Sequence, residues 1–355
     1  MRIAQVCYLA APALGGVERH VLELSRTLIN NGHKVEIHPS NFYDLKGTSL
    51  PKLATDEIPT YRYSSKFVKK TTLFSQPIHF PGLFWGLVKS NPDLIHVHSM
   101  ASLHLELSYL YCRLFHKPLV VTGHYSAADL QRLYTKRKNG QKTKRLRYWE
   151  TRLKEAQMYQ ELFGFKKVIV IPNGVNLEEF NPYLNKENYL LFVGRIVPEK
   201  RLDFLLGAYK KLLNKQPLII AGYAPDKAYL DYLKGLASTG VSFVSPSRNQ
   251  IVSLINHAKT LILPSKNEAF GIVLLEAMAS GVPVLASNSG GFPEVLGDAG
   301  LLFDPDSETD LVEKIELIQD KELYQKLATA GLKRVERYSW STIAKELEEV
   351  YQSIV

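Results

Sequence analysis

The sequence predicts an α/β protein made of two Rossmann-like, doubly wound parallel-sheet domains. Three observations carry that prediction. Short apolar runs alternate with helical stretches along the whole chain, the pattern of strand-helix units in a parallel sheet. The alternation restarts after Pro172-Asn173-Gly174, so the second half repeats the architecture of the first. With 355 residues the chain is long enough for two cores of ordinary size. A hydrophobic share of 45% with 22% charged residues is that of a soluble globular protein and excludes disorder.

In the first half, Ile3–Leu9 reads as a buried strand, followed by a loop holding Gly15 and Gly16. An amphipathic helix over Val17–Asn30 comes next, with Val17, Val21, Leu24 and Leu28 on one face. The opening residues have one basic residue and an AxA-like end, as a secretory signal does. Gln5 breaks the apolar run, however, and a helix follows directly, so strand, loop and helix are expected instead. Lys34–His38 is the next strand, Leu83–Lys89 a short helix, and Leu94–His98 a strand ending in His96-Val97-His98. Residues two apart on a strand face the same side, which suits a metal pair, but no third ligand stands near. Leu119–Thr122 delivers Gly123-His124-Tyr125 to its carboxyl end, where open parallel sheets bind ligands. Lys167–Ile171 leads to the interdomain link, dividing the chain into residues 1–171 and 172–340.

In the second half, strands are expected at Tyr189–Val193, Leu218–Ala221, Val241–Val244, Thr260–Leu263, Val284–Ala286 and Leu301–Phe303. Gly194-Arg195 and Pro198-Glu199-Lys200 form the loop before a helix over Leu202–Leu213. Asp304-Pro305-Asp306 matches a DxD metal pattern, but it follows a strand, contains proline and precedes Ser307-Glu308, as a turn does. The chain contains no GxGxxG, so a nicotinamide or flavin fingerprint is missing. The last helix, about 341–354, carries Ile343, Leu347, Val350, Tyr351 and Ile354 on one stripe and must pack on something.

The stretch Ser265–Pro283 holds the strongest chemical signal. A helix should begin near Phe270 or Gly271 and stop at Ser280, with Gly281 as the left-handed residue after it and Pro283 preventing continuation. It is apolar nearly all round except for Glu276, a lone acid that needs a hydrogen-bond donor from the protein or from a ligand's hydroxyls. Glu276 lies roughly 7 to 8 Å below the helix start and Glu268 above it. A diphosphate held by the first-turn N–H groups would have a carboxylate on either side, as a nucleotide-sugar requires.

Charge is unevenly spread. Lys and Arg outnumber Asp and Glu 25 to 12 in residues 1–172, whereas the remainder has 19 against 23. An anionic partner should therefore meet the first half, and nucleic acid, an anionic membrane and a phosphorylated acceptor all fit. Thr135–Arg147 carries seven basic residues and no acid, so Lys136–Arg147 is either a solvated run or an attractor of anionic lipid. No apolar stretch approaches the roughly 20 residues of a membrane span, so membrane contact is expected to be peripheral and the protein cytoplasmic. Two cysteines, Cys7 and Cys112, do not make a disulfide framework.

Taken together these segments resemble the retaining GT-B glycosyltransferases of the GT4 group along nearly the whole chain. GGVERHVLELSRTL looks like the family's first glycine loop and helix, DLIHVHS and VVTGHY like two strand ends, and VIPNGVN like its interdomain segment. LLFVGRIVPEKRLDFLLGAY looks like the start of its second domain, and NEAFGIVLLEAMASGVPVLAS with GGFPEV like its donor site. Glu268 and Glu276 with seven residues between them are the most specific part of the match.

The resemblance implies a GT-B fold of two domains facing across a cleft and closing over the donor, with the last helix crossing back to the first domain. It implies transfer of a hexose (mannose, glucose or N-acetylhexosamine) from a UDP- or GDP-sugar to an acceptor hydroxyl on a lipid or glycan, with retention. No metal and no nucleic acid are implied. Arg195 and Lys200 would clamp the diphosphate, and backbone around Gly15, Gly16, Phe270, Gly271, Ile272 and Val273 would complete the cradle. Glu268 would hold sugar hydroxyls, Glu276 the ribose, and His124 would sit beside the sugar. The alternatives are a non-catalytic sugar- or membrane-binding subunit of the same fold, and a GT-B epimerase or phosphorylase. The chain departs from the family pattern at four places. Residues 151–166 are too short and helical for the usual strand, and Arg201 and Ala269 stand where glycine is common. VSFVSPSRN lacks the glycine usual where the base is held.

Overall fold

A computed structural model describes residues 1–10, 16–42, 57–67, 78–98, 103–123, 169, 171–266 and 268–355. The chain forms two compact units, Met1–Arg145 with Trp340–Val355, and Leu146–Ser339. Sequence had placed the division at 171/172. Most of the stretch between the two boundaries, including the departure at 151–166 and residues 167, 168 and 170 of the expected strand Lys167–Ile171, lies outside the described residues, and Ile169 and Ile171 are not in a strand.

The first unit contains strands β1 (Arg2–Val6), β2 (Lys34–His38), β3 (Lys66–Phe67), β4 (Ile78–His79), β5 (Leu94–His98) and β6 (Leu119–Thr122). Four of them form a parallel sheet in the order β2-β1-β5-β6, and β3 pairs with β4 separately and antiparallel. Burial follows position in the sheet. Every residue of β5 is buried, whereas β6, at the sheet's edge, is half-exposed throughout. Helices Gly16–Asn30, Gly82–Ser90 and Leu103–Phe115 accompany these strands.

The final helix, Trp340–Gln352, belongs to this unit and packs on the Gly16–Asn30 helix. Its stripe of Trp340, Ile343, Ala344, Leu347 and Tyr351 is buried. Val350 is half-buried and Ile354 exposed, because the helix ends at Gln352 before the stripe completes another turn. Polar contacts fix its register. The Tyr351 hydroxyl is 2.7 Å from Nδ1 of His96, and Glu348 accepts from Asn31 at 2.8 Å.

The second unit holds β7 (Leu190–Val193), β8 (Leu218–Ala221), β9 (Val241–Val244), β10 (Thr260–Leu263), β11 (Val284–Ser287) and β12 (Leu301–Phe303). They form a six-stranded parallel sheet in the order β12-β11-β10-β7-β8-β9. The first three strands of the unit therefore run one way from β7 and the last three the other way. Order reverses between β7 and β10, the switch point at which open α/β sheets bind ligands beyond the carboxyl ends of their strands. Strands β7, β10 and β11 are wholly buried, which is why they read as unbroken apolar runs, whereas edge strand β9 alternates half-buried with exposed residues.

Candidate functional site

The loops after β7 and β10 carry Arg195, Lys200 and Glu268 of the predicted site residues. Beyond β7 the ladder continues, with Gly194 N–H donating to Ala221 at 3.0 Å and Ile196 N–H to Tyr223 at 2.9 Å. A Cβ on Gly222 would lie 1.8 Å from the Gly194 carbonyl oxygen, so glycine is required where these two strand ends meet. The chain then turns through a 3₁₀ segment, Pro198–Lys200. Arg195 is exposed and has no ion pair among the described residues, whereas Lys200 is directed at the β10 loop and donates to the Glu268 carboxylate.

Arg201, expected from sequence to stand where glycine is common, adopts the left-handed conformation with φ 52° and ψ 44°. Glycine pays no Cβ penalty there and arginine does. Three contacts hold the arginine. Its guanidinium donates to the Pro305 carbonyl, lies 3.8 Å from Asp306 and sits 4.7 Å over the Phe204 ring. The Asp304-Pro305-Asp306 segment is the turn expected from sequence: Asp306 N–H donates to Asp304 Oδ1 at 2.9 Å, and Lys266 pairs with Asp306 at 2.5 Å.

The Glu268 loop is clamped by the segment after β11. Gly291 N–H donates to the Glu268 carbonyl at 2.8 Å, and Ser289 Oγ donates to the Lys266 carbonyl. A Cβ on Gly290 would stand 2.4 Å from the Glu268 carbonyl oxygen, and one on Gly291 2.3 Å from that of Ala269. The glycine pair is thus there to let two backbones touch. Gly271, at φ 81°, caps the buried helix Ile272–Ala279 without side-chain help, beneath Phe292. Phe270 is buried with its ring 5.9 Å from Tyr338, and Ile272 and Val273 of the first turn are half-buried. Gly281 takes the left-handed conformation expected after the helix, at φ 64°.

Glu276, 3% exposed, has the protein partner that sequence left open. Arg248 Nη1 lies 2.8 Å from its Oε1. Arg248 went unrecognised as a site residue, although Ser247 and Gln250 form a capping box that would have placed it at the first position of the helix Arg248–His257, beyond the carboxyl end of β9.

Other candidates fall elsewhere. Gly15, His124 and Lys136–Arg147 lie outside the described residues, and Gly16 is exposed at the start of its helix in the first unit. His96 and His98 do face the same side, with ring centroids 4.2 Å apart, but both are fully buried and bonded within the protein. His96 Nε2 meets Thr122 Oγ1 at 2.6 Å and His98 Nε2 meets Gln5 Oε1 at 2.6 Å. Burial, with His20 nearby, holds the His96 imidazole neutral, its pKa lowered to about 3. No group of three or more His, Cys, Asp or Glu side chains among the described residues is arranged to hold a metal. Cys7 and Cys112 are free and buried, and burial raises the Cys112 thiol to about 12. Among the described residues no helix is long and apolar enough to cross a membrane.

Two family models divide the chain between them. Residues 14–179 match Glycosyltransferase Family 4 and residues 176–334 match Glycosyl transferases group 1, so the matches join and together run from 14 to 334. The chain belongs to glycosyltransferase family 4. This glycosyltransferase is 26% identical to the gpi3 subunit of phosphatidylinositol N-acetylglucosaminyltransferase of Schizosaccharomyces pombe, over 97% of this chain and 78% of that protein. It is 27% identical to the phosphatidyl-myo-inositol mannosyltransferase of Mycobacterium leprae, over 100% of this chain and 97% of that one. Among solved structures, sucrose-phosphate synthase from Thermosynechococcus elongatus matches with a TM-score of 0.77 at 21% identity, covering 100% of this chain and 99% of that one. That likeness gives the fold, GT-B, whose two parallel-sheet α/β units are those described above.

Proposed function

We propose that this glycosyltransferase moves a hexose from a UDP- or GDP-sugar to an acceptor hydroxyl with retention at the anomeric carbon. The observation that carries the proposal is the meeting of Lys200 and Glu268 at the β7/β10 switch point, with Glu268 just ahead in the chain of the helix that buries Glu276. A cation, two carboxylates and a helix start without a side-chain cap match the parts of a nucleotide-sugar in order. Lys200 and Arg195 would neutralise the diphosphate, Lys200 as a point charge and Arg195 as a planar fork. First-turn N–H groups of Ile272 and Val273 would add donors, Glu268 would accept from sugar hydroxyls, and Glu276 from ribose hydroxyls. The roles given to Gly15, Gly16 and His124 rest on sequence resemblance.

Leaving-group stabilisation is then the main electrostatic task, and two cations with a helix terminus perform it without a divalent metal. Turnover should accordingly survive EDTA. For the acceptor we propose a lipid-linked or glycan hydroxyl met at a membrane surface on the cytoplasmic side. Support comes from the basic first half and from exposed Trp85, Leu110 and Leu114, which share their helices with exposed Lys89 and Arg113.

Thermal shift with UDP and GDP tests the donor, because a ligand at 100 times its dissociation constant stabilises by about 2.7 kcal/mol. Release of UDP or GDP from a panel of hexose donors, with phosphatidylinositol vesicles or isoprenoid-linked glycans as acceptors, tests the reaction. Failure to bind either nucleotide and to release it from any donor would overturn the proposal. Pelleting with anionic but not zwitterionic vesicles at low salt tests the membrane surface.

A further inference from the structure

Arg248 holds more than Glu276. Its Nε and Nη2 lie 3.1 and 2.5 Å from Oε2 of Glu179, in the 3₁₀ turn Leu177–Glu179, and its Cζ sits 5.6 Å over the Phe180 ring. One edge of the guanidinium is therefore committed to Glu179 and the ring below, and the remaining nitrogen reaches Glu276 at 2.8 Å. The two carboxylates differ in burial, Glu276 having 4% of its side chain exposed and Glu179 26%. The more exposed acid anchors the arginine, and the arginine then fixes the buried one.

We propose that Arg248 is the positioning residue for ribose recognition in this enzyme, holding Glu276 in a fixed orientation as the acceptor for the paired hydroxyls of the donor's ribose. The two oxygens of a carboxylate offer several acceptor sites, which is what two hydroxyl donors on adjacent carbons require, and the contact to Arg248 at 2.8 Å fixes how those oxygens are presented. Because Nε and Nη2 are held by Glu179, Arg248 stays in place when ligand enters, and Glu276 keeps its orientation. The expected consequence is selection of ribose over 2′-deoxyribose. The inference rests on the proposed donor site, and it adds Arg248 and Glu179 to the residues that set specificity.

The test measures, by calorimetry, binding of UDP or GDP (whichever the wild type takes) and of its 2′-deoxy analogue to wild type, Arg248→Ala, Arg248→Lys, Glu179→Gln and Glu276→Ala. Wild type should prefer the ribonucleotide at least tenfold. Arg248→Ala should lose about tenfold or more in ribonucleotide affinity with little change for the deoxy analogue, and the loss should appear in the donor KM rather than in kcat. Glu179→Gln should move in the same direction by less, Arg248→Lys should recover part of the preference, and Arg248→Ala should add nothing in a Glu276→Ala background. Equal loss for both nucleotides, or lower thermal stability with the ribose preference intact, would make Arg248 merely structural and overturn the inference. So would an undiminished preference in soluble, folded Glu179→Gln and Arg248→Lys, which decide the matter if Arg248→Ala does not fold. A wild type that binds nucleoside diphosphates without preferring ribose removes this inference and leaves the donor site standing. A wild type that binds none removes both.

Discussion

The Lys200 ammonium donates to the Glu268 carboxylate, and both side chains are largely shielded, at 22% and 25% exposed. In the proposed donor complex these two groups serve different parts of one ligand, so binding must exchange their mutual contact for contacts to diphosphate and sugar. Glu268 is thus a competitor for Lys200 until the donor arrives. Glu268→Gln should bind UDP or GDP as well as wild type or better, while turnover falls about 100-fold or more. Lys200→Ala should lose both. Calorimetry with the nucleotide alone, set beside steady-state rates, separates the two variants. A Glu268→Gln protein that loses nucleotide affinity as Lys200→Ala does would refute the competition.

Arg201 offers a comparison of strain against contact. Arg201→Ala keeps the left-handed backbone and discards the contacts to Pro305, Asp306 and Phe204, so it should cost about 1–2 kcal/mol. Arg201→Gly discards the same contacts and relieves the backbone, recovering about 1 kcal/mol. Melting temperatures should therefore rank wild type at or above the glycine variant and the glycine variant above alanine. If alanine and glycine melt together, position 201 stores no strain.

Much of this architecture was legible because its strands are buried on both faces. Runs such as Leu94–His98 and Thr260–Leu263 are buried along their whole length, so they stand out as short, mostly apolar stretches between polar loops. The helix Leu103–Phe115 was not legible. Leu103-His104-Leu105-Glu106-Leu107 alternates with the period of a strand, and Tyr109, Leu110 and Leu114 are exposed, so no single apolar face declares a helix. In the site, the identities of Lys200, Glu268 and Glu276 could be read, but their pairings could not. Lys200 reaches Glu268 across 68 positions only because β7 lies beside β10, and strand order is a tertiary fact. Arg201 was visible as a departure from glycine and Asp304-Pro305-Asp306 as a turn, while the contact between them was not, because they stand about a hundred positions apart.

The buried histidines of the first unit predict acid sensitivity. His96 has its pKa lowered to about 3 by burial, with a smaller contribution from His20, and burial takes His104 to about 3 as well. Between pH 6.5 and 3 the unfolded chain binds protons at these positions that the folded chain refuses. Their contribution to stability is complete above about pH 6.5 and is lost progressively as pH falls, at about 1.4 kcal/mol per pH unit for each. His96→Gln removes one titrating group, so its stability should fall less steeply than that of wild type between pH 6.5 and 4.5. Chemical denaturation at several pH values reads this slope. Parallel slopes for the two proteins would place the acid sensitivity elsewhere.

Gly291 should matter to activity through shape alone. Its φ of −83° is open to any residue, so a substitution introduces no backbone strain. A Cβ there would nonetheless stand 2.3 Å from the Ala269 carbonyl oxygen and 3.0 Å from its carbon, both backbone atoms that cannot rotate away. The loop carrying Glu268 must then shift, and displacement of about 1 Å at a reacting centre costs about 100-fold in rate. Gly291→Ala is expected to fold, to lose about 1–3 kcal/mol of stability and to drop in kcat/KM by about two orders of magnitude. Gly235, in the helix Lys227–Leu236, provides the control, since a Cβ there meets nothing within 4 Å. Gly235→Ala should gain about 0.5–1 kcal/mol from helix propensity and keep full activity. Wild-type rates in Gly291→Ala would mean that the clamp between the two loops does not position Glu268 for catalysis.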